Sequence, residues 1–405
     1  MGSLLDALKK QDKKGILRQN ITSIGYKTGL LPLDFKNGYQ VNSTDKDGNV
    51  IKRWANIGLF GGSFVSIIGK SGTAKTAFCV QAAAEICREY KESEIYHLDL
   101  EGSSNMSRIM TLTEYSVDEI KEKYFYFNDY QYIEDIFALV CNMADYKCSN
   151  ADQYSVETNK LNECGETQKT LCPTVIIIDS LPMVMTKDLE GDTDMAGLTY
   201  DARKARWISQ FYRRLRPVIQ RANIIIMVIN HINDKVDTNP MAKTQAQIMY
   251  LKQNEALPGG YAPIYLTQTL LKFVQCGKYT EEKDGFNGFN IRCEFIKSKT
   301  NFAGTSCNII FDMANGFDKY RTLLEYAKEV GVLAGRNPYS YFLSNQDLKF
   351  DSRHYSELCK TDFKYYKEGM IAVAPYLYTS LANANDLKDI EKADNEVLKR
   401  LELDN

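Results

Sequence analysis

The chain has 405 residues, with 50 basic and 52 acidic side chains and a net charge of −2. That balance excludes a polybasic, histone-like mode of nucleic-acid binding but leaves binding through a local surface open. At 44% hydrophobic and 25% charged residues, the chain can bury a large core without staples, and no apolar run reaches the ~18–20 residues of a membrane span.

In chain order, Met1–Lys14 carries charge throughout and has no signal-peptide core. Ser3 is placed to cap a short helix with Leu4, Leu5, Ala7 and Leu8 on one side. Asn37–Asn49, rich in Gly, Asn and Asp, reads as a loop. Residues 1–57 are therefore expected to be a lead-in that packs on its own domain or on a neighbour. From Phe64 a strand, loop and helix pattern repeats: a strand over Phe64–Ile68, a helix over Thr76–Tyr90, and strands over Ile95–Leu98, Tyr124–Phe127, Val175–Ile178 and Ile224–Ile229. Continuous β-branched runs suit strands covered on both faces, which predicts a mostly parallel sheet flanked by helices. Leu270–Val274, Ile291–Ile296 and Asn308–Phe311 alternate more and are expected to extend the sheet as hairpins. The polar stretch 146–172 reads as a surface insertion. The core is thus α/β over 58–330, and 331–405 is expected to be helical, with seven acidic and four basic residues from Asp386 onward. The ten cysteines have no regular spacing; Cys148, Cys164 and Cys172 come nearest to a cluster but lack a C-x-x-C pair. They read as reduced thiols in a cytoplasmic setting.

The strongest motif follows the first core strand: Gly69-Lys70-Ser71-Gly72-Thr73-Ala74-Lys75-Thr76. It matches the phosphate-binding P-loop except that Ala74 replaces a glycine. Backbone N–H groups at a helix start would cradle phosphate, Lys75 would reach the terminal phosphates, and the Thr76 hydroxyl would hold magnesium. The apolar strand ending in Asp179 supplies a second magnesium ligand. Hydrolysis also needs a group to activate water, and Glu101, after the strand ending in Asp99, is the candidate base. Asn230-His231 follows a third strand at the same sheet edge and is placed to sense the terminal phosphate.

Those strand ends, in this order, resemble the RecA-type core of DNA strand-exchange proteins, most of all the recombinases of T4-like bacteriophages. The similarity runs from about Thr28 to about Leu343. It is carried by Thr28–Asp34, Asp99-Leu100-Glu101, Asn230-His231, Leu257-Pro258-Gly259-Gly260 with Ile264-Tyr265, Lys297-Ser298-Lys299, and Asn315–Tyr320 with Leu323-Leu324. The resemblance implies a RecA-like ATPase core with a short helical lead-in and a small C-terminal helical region. It implies ATP and Mg2+ as cofactors, with Glu101, Lys75 and His231 as catalytic groups. Lys297 and Lys299 would reach a neighbouring subunit's ATP in a helical filament. The filament would form on single-stranded DNA and pair it with a homologous duplex. Three departures stand out: Ala74, which the phage recombinases share in lacking glycine; the 146–172 insertion; and Arg108, where the family has an aromatic that stacks on adenine.

Basic residues recur at Arg203, Arg206, Arg213 and Arg216 on the helix before the Ile224 strand, so several share one face. A solvated face is the usual meaning of such a run; the resemblance assigns Arg206 and Arg213 to DNA phosphate. The loop Met183–Leu198 is acidic, and only the resemblance places it near DNA. The loop Ile232–Ala262 is balanced in charge, with Lys235, Lys243 and Lys252 among its bases. There Lys235 and Lys243 are candidate DNA contacts, together with the backbone of Gly259 and Gly260 at a helix start. Two other readings remain at this stage: a hexameric helicase on the same core, and an ATP-binding filament or adaptor paralogue without useful turnover.

Overall fold

The computed structural model describes residues 24–44, 50–161, 167–189, 198–234, 248–281, 286–336 and 338–379. The helix expected at Ser3 and the acidic stretch from Asp386 lie outside these. Among the described residues, nine strands form a central sheet. Their spatial order is Gly316–Phe317, Ser306–Asp312, Phe286–Ser298, Thr269–Glu281, Phe64–Gly69, Ile224–His231, Thr174–Asp179, Ile95–Asp99 and Tyr124–Phe127. The last six run parallel to one another, and the first three add on as antiparallel neighbours. The α/β expectation therefore holds, and the alternating runs do extend the sheet through antiparallel pairings.

The reason lies in burial on both faces. Val65, Ile67, Val175, Ile177, Ile225 and Met227 pack with Phe78, Ala82 and Ala83 of the Lys75–Arg88 helix. Their strand neighbours Ile176, Ile178, Ile226 and Val228 point the other way, onto Ile136 and Val140 of one helix and Ile208, Tyr212 and Leu215 of another. Period-2 alternation between two apolar layers leaves few positions for polar side chains within these strands, Ser66 and His97 being buried exceptions, so most polar groups appear where the strands end. Parallel strands end on one edge, so Gly69, Asp99, Asp179 and His231 come out together.

Three segments differ from the sequence reading. Tyr39–Thr44, inside the expected loop, pairs with Val50–Asn56 as a hairpin. The 146–172 insertion continues the Ile133–Ser149 helix, makes a short helix over Ala151–Tyr154, and forms a hairpin of Ser155–Leu161 with Thr167–Leu171. Its root is fixed by the buried Lys147, whose ammonium donates to Cys172 O at 2.8 Å and Thr174 Oγ1 at 2.9 Å. The region after 331 opens with a three-stranded antiparallel sheet, Leu333–Arg336, Tyr339–Phe342 and Asn345–Asp351, before the helices Tyr355–Thr361 and Lys364–Thr379. Buried Phe342 and Phe350 anchor that sheet while Tyr339 faces solvent, a strand pattern inside a region expected to be helical. Leu31 and Phe35 of the Leu31–Lys36 helix share a hydrophobic cluster with Leu323, Phe342, Phe350, Tyr355 and Val373. Among the described residues, no helix is long and apolar enough to cross a membrane.

Candidate nucleotide site

The Phe64–Gly69 strand passes directly into the loop and the Lys75–Arg88 helix. Gly69 is dictated by space, because a Cβ there would sit 2.7 Å from both Phe273 O and Thr73 Oγ1. Ala74 is left-handed (φ 57, ψ 28). Its Cβ costs ~1–2 kcal/mol in that conformation, which is why the motif usually carries glycine. Thr73 Oγ1 donates to Lys70 O at 2.9 Å and braces the turn. The Lys75 ammonium donates to Gly69 O at 3.1 Å and Lys70 O at 2.8 Å, so it lies across the loop. Burial lowers its pKa, against the opposing charges of Asp179 and Glu101.

Thr76 Oγ1 donates to Asp179 Oδ2 at 2.6 Å. Burial pushes the Asp179 carboxyl up to about 6, the Thr76 hydrogen bond pulls it down, and the nearby Glu101 and Asp99 charges add to the rise. A hydroxyl and a carboxylate facing each other at the loop's exit suit a divalent cation bound beside a polyphosphate. Glu101 reaches the same place from the neighbouring strand. Its Oε1 accepts from Ser180 Oγ at 2.6 Å and lies 3.1 Å from His231 Nε2. Burial raises the Glu101 pKa, but these two hydrogen bonds outweigh it and hold the carboxyl below its ordinary value. A cavity of about 340 Å³ joins these groups; Ser71, Gly72, Thr73, Ala74, Lys75, Thr76, Glu101, Asp179 and His231 all line it. Its far end is walled by Arg108, Ile109, Leu112 and Phe311. The Arg108 guanidinium is tethered to Ala314 O there, while Asn105 caps its helix by accepting from Arg108 N.

The other expected site residues lie outside this cavity. Lys297 Nζ donates to Ile264 O at 2.8 Å and Tyr265 O at 2.6 Å, at the end of the short Ala262–Tyr265 helix. Burial, then the charges of Lys299 and Arg216, lower its pKa to about 8. Lys299 sits beside the same Arg216, and burial lowers its pKa as well. Arg206 and Arg213 are exposed on the Leu198–Ala222 helix. Arg203 on that helix is instead tied to Asp188. Gly259 (φ +92) and Gly260 (φ +75) pack on the same helix, where added Cβ atoms would meet Ile208 at 3.3 Å and Ala205 at 3.2 Å. Lys235 and Lys243 lie outside the described residues, as does 190–197 of the acidic loop.

Sequence reasoning missed Ser180, Tyr126 and the Glu255–Lys272 pair. Ser180 follows Asp179 directly, and a polar residue one place beyond a strand end was the available signal. Lys272 Nζ lies 2.8 Å from both Glu255 oxygens, and the two side chains are only 5% and 7% exposed. A lysine in an apolar strand pattern was its only trace. Asn230 Nδ2 donates to Pro258 O at 3.0 Å, so the strand end that carries His231 also holds the Gly259-Gly260 turn.

No family model matches the chain. It is 24% identical over 292 residues to a RecA protein of Ureaplasma parvum, covering 70% of this chain and 72% of that protein. A RecA protein of Aquifex aeolicus is 26% identical over 174 residues, 41% of this chain and 45% of that protein. A DNA repair protein RAD51 homolog 4 of Bos taurus is 23% identical over 186 residues, 45% and 51% of the two chains. The parallel strand ends that assemble the P-loop, Glu101, Asp179 and His231, together with these similarities, identify an α/β chain with a RecA-like core, related in sequence to RecA proteins and to a RAD51 homologue.

Proposed function

We propose that the chain is a DNA-dependent ATPase of the recombinase kind, which polymerises on single-stranded DNA and exchanges strands with a homologous duplex. In finer terms it is a relative of UvsX from T4-like bacteriophages. One observation carries the ATPase reading. Glu101 Oε1 is held by Ser180 and His231, while Oε2 has no hydrogen-bond partner among the described residues and the side chain lines the P-loop cavity. A carboxylate fixed through one oxygen, with the other free, can take a proton from water.

The remaining roles belong to the same proposal and rest on the resemblance to strand-exchange proteins together with the cavity lining. Lys75 would exchange its loop carbonyls for the terminal phosphates, and Thr76 with Asp179 would hold magnesium. The bound ion supplies charge neutralisation at the phosphates. His231 would report the terminal phosphate to Glu101, and Asn230 would pass the same state to the Gly259-Gly260 turn. Arg206, Arg213 and the Gly259 and Gly260 backbone would contact DNA phosphate, with Lys235 and Lys243 on the adjoining loop. Base pairing then reads sequence, so backbone contacts suffice.

The test is the ATPase rate with and without single-stranded DNA, in wild type and Glu101→Gln. Stimulation by DNA is expected in the wild type. The variant should lose about 10²–10⁴ in kcat with nucleotide affinity unchanged. A wild-type rate indifferent to DNA would overturn the DNA-dependent reading.

A further inference from the structure

Asp99 lies two residues before Glu101, at the end of the Ile95–Asp99 strand, and is 1% exposed. It does not line the nucleotide cavity, although Glu101, Ser103 and Ser104 do. Its two oxygens are fully engaged. Oδ1 accepts from Glu101 N at 3.2 Å and Gly102 N at 2.9 Å. Oδ2 accepts from Ser104 N at 2.9 Å and from the Tyr126 hydroxyl at 2.9 Å. Four donors fill the acceptor capacity of an ionised carboxylate, leaving none for a cation or a water proton. Burial raises its pKa, but the hydrogen bonds from Ser104 and Tyr126 prevail and keep it below its ordinary value.

The strand beneath is paired on both sides. Asp99 is in register with Asp179, Leu100 N donates to Asp179 O at 2.7 Å, and Tyr126 stands on the next parallel strand. The backbone from 101 to 104 is therefore wrapped around one anchored carboxylate, with Gly102 left-handed at φ +63 to close the turn.

We propose that Asp99, braced by Tyr126, is the positioning residue for Glu101. It fixes the backbone from which the Glu101 side chain reaches Ser180, His231 and the cavity. The proposal rests on the ATPase reading above. A misplacement of about 1 Å at a reacting group is enough to cost ~10²-fold in rate.

Asp99→Asn keeps the size but turns one acceptor into a donor facing Ser104 N–H. We expect kcat for ATP to fall about 10- to 100-fold while the affinity for a fluorescent non-hydrolysable ATP analogue changes less than about threefold. In the nucleotide-free protein, amide hydrogen exchange over 101–104 should quicken about tenfold. Because the effect runs through Glu101, Asp99→Asn should cost nothing further in a Glu101→Gln background. Tyr126→Phe, the gentler change, should lower kcat about two- to fivefold and be similarly masked. An additive loss of rate in the Glu101→Gln background overturns the proposal, as does weaker analogue binding in step with the loss of kcat. If Asp99→Asn fails to fold, Tyr126→Phe decides by the same criteria. A wild-type protein without ATPase activity removes the ATPase reading and this proposal together. Wild-type activity with additive variants removes this proposal alone.

Discussion

Ser180 is the residue that changes how Glu101 is understood. A glutamate after a strand end is ordinary, but one whose Oε1 accepts from a serine hydroxyl at 2.6 Å and lies 3.1 Å from a histidine is pre-oriented. The cost of such arrangements is seen elsewhere at single residues, Ala74 being one. Asp34 is another: its Oδ1 accepts from Thr28 N at 2.9 Å and Thr28 Oγ1 at 2.7 Å, fully buried. Burial raises its pKa from 3.8 to about 7, against those hydrogen bonds. The folded state thus holds the proton more tightly than the unfolded chain. The resulting stabilisation is complete below about pH 4 and is lost as pH rises to about 7. Asp34→Asn keeps an acceptor for both Thr28 donors and removes the titration. Urea denaturation should show the variant gaining on wild type from pH 4 to 7, by a few kcal/mol at most, and no further above that. A constant difference across the range would exclude Asp34 as the titrating group.

At the scale of elements, the long connection between the Ile224–His231 and Thr269–Glu281 strands is held by both of them. Asn230 takes Pro258, and Lys272 takes Glu255, while Asn233–Asp234 pairs with Glu255–Ala256. Lys272 is in register with Ile68 of the P-loop strand, so the anchor adjoins the nucleotide site. Removing one partner of a buried ion pair strands the other charge. Lys272→Met should therefore cost about 3–5 kcal/mol in urea denaturation. Lys272→Met with Glu255→Leu should regain most of that, because an apolar pair carries no desolvation penalty. A double variant as unstable as the single would place the cost elsewhere than in Glu255, in packing or in Glu294, whose carboxylate lies 3.7 Å from Lys272 Nζ.

For the whole molecule, the basic pair is the element left unexplained by a single chain. Lys297 and Lys299 stand outside their own nucleotide cavity, where burial and the nearby Arg216 charge lower the pKa of both lysines. The resemblance to strand-exchange proteins gives that cluster a role at a neighbour's phosphates in the proposed filament, and subunit mixing tests it. Inactive Lys75→Ala and Lys297→Ala subunits, mixed in equal amounts, should then recover up to about a quarter of the wild-type ATPase rate, the fraction of interfaces with both groups intact. No recovery at any ratio would count against a role across subunits.

Much of the site was legible because it is local. Gly69–Thr76 is contiguous, and Asp179, Glu101 and His231 each follow an apolar run whose strand character is plain. Fully buried parallel strands write themselves as unbroken β-branched segments, so the sheet and the edge carrying the chemistry could be read in advance. The hairpin at 155–171 and the sheet after 331 could not, since short strands on the surface lack that signature. Nor could the wiring. Ser180 and Glu101 are 79 positions apart, and His231 and Glu101 are 130 apart. Residue types and spacing specify which side chains stand at strand ends. Strand order and register alone bring one oxygen of Glu101 to Ser180 and His231, because those contacts join segments that the chain keeps far apart; the turn that closes on Asp99 is local, but residue types do not specify its left-handed Gly102 or the Tyr126 hydroxyl that completes it.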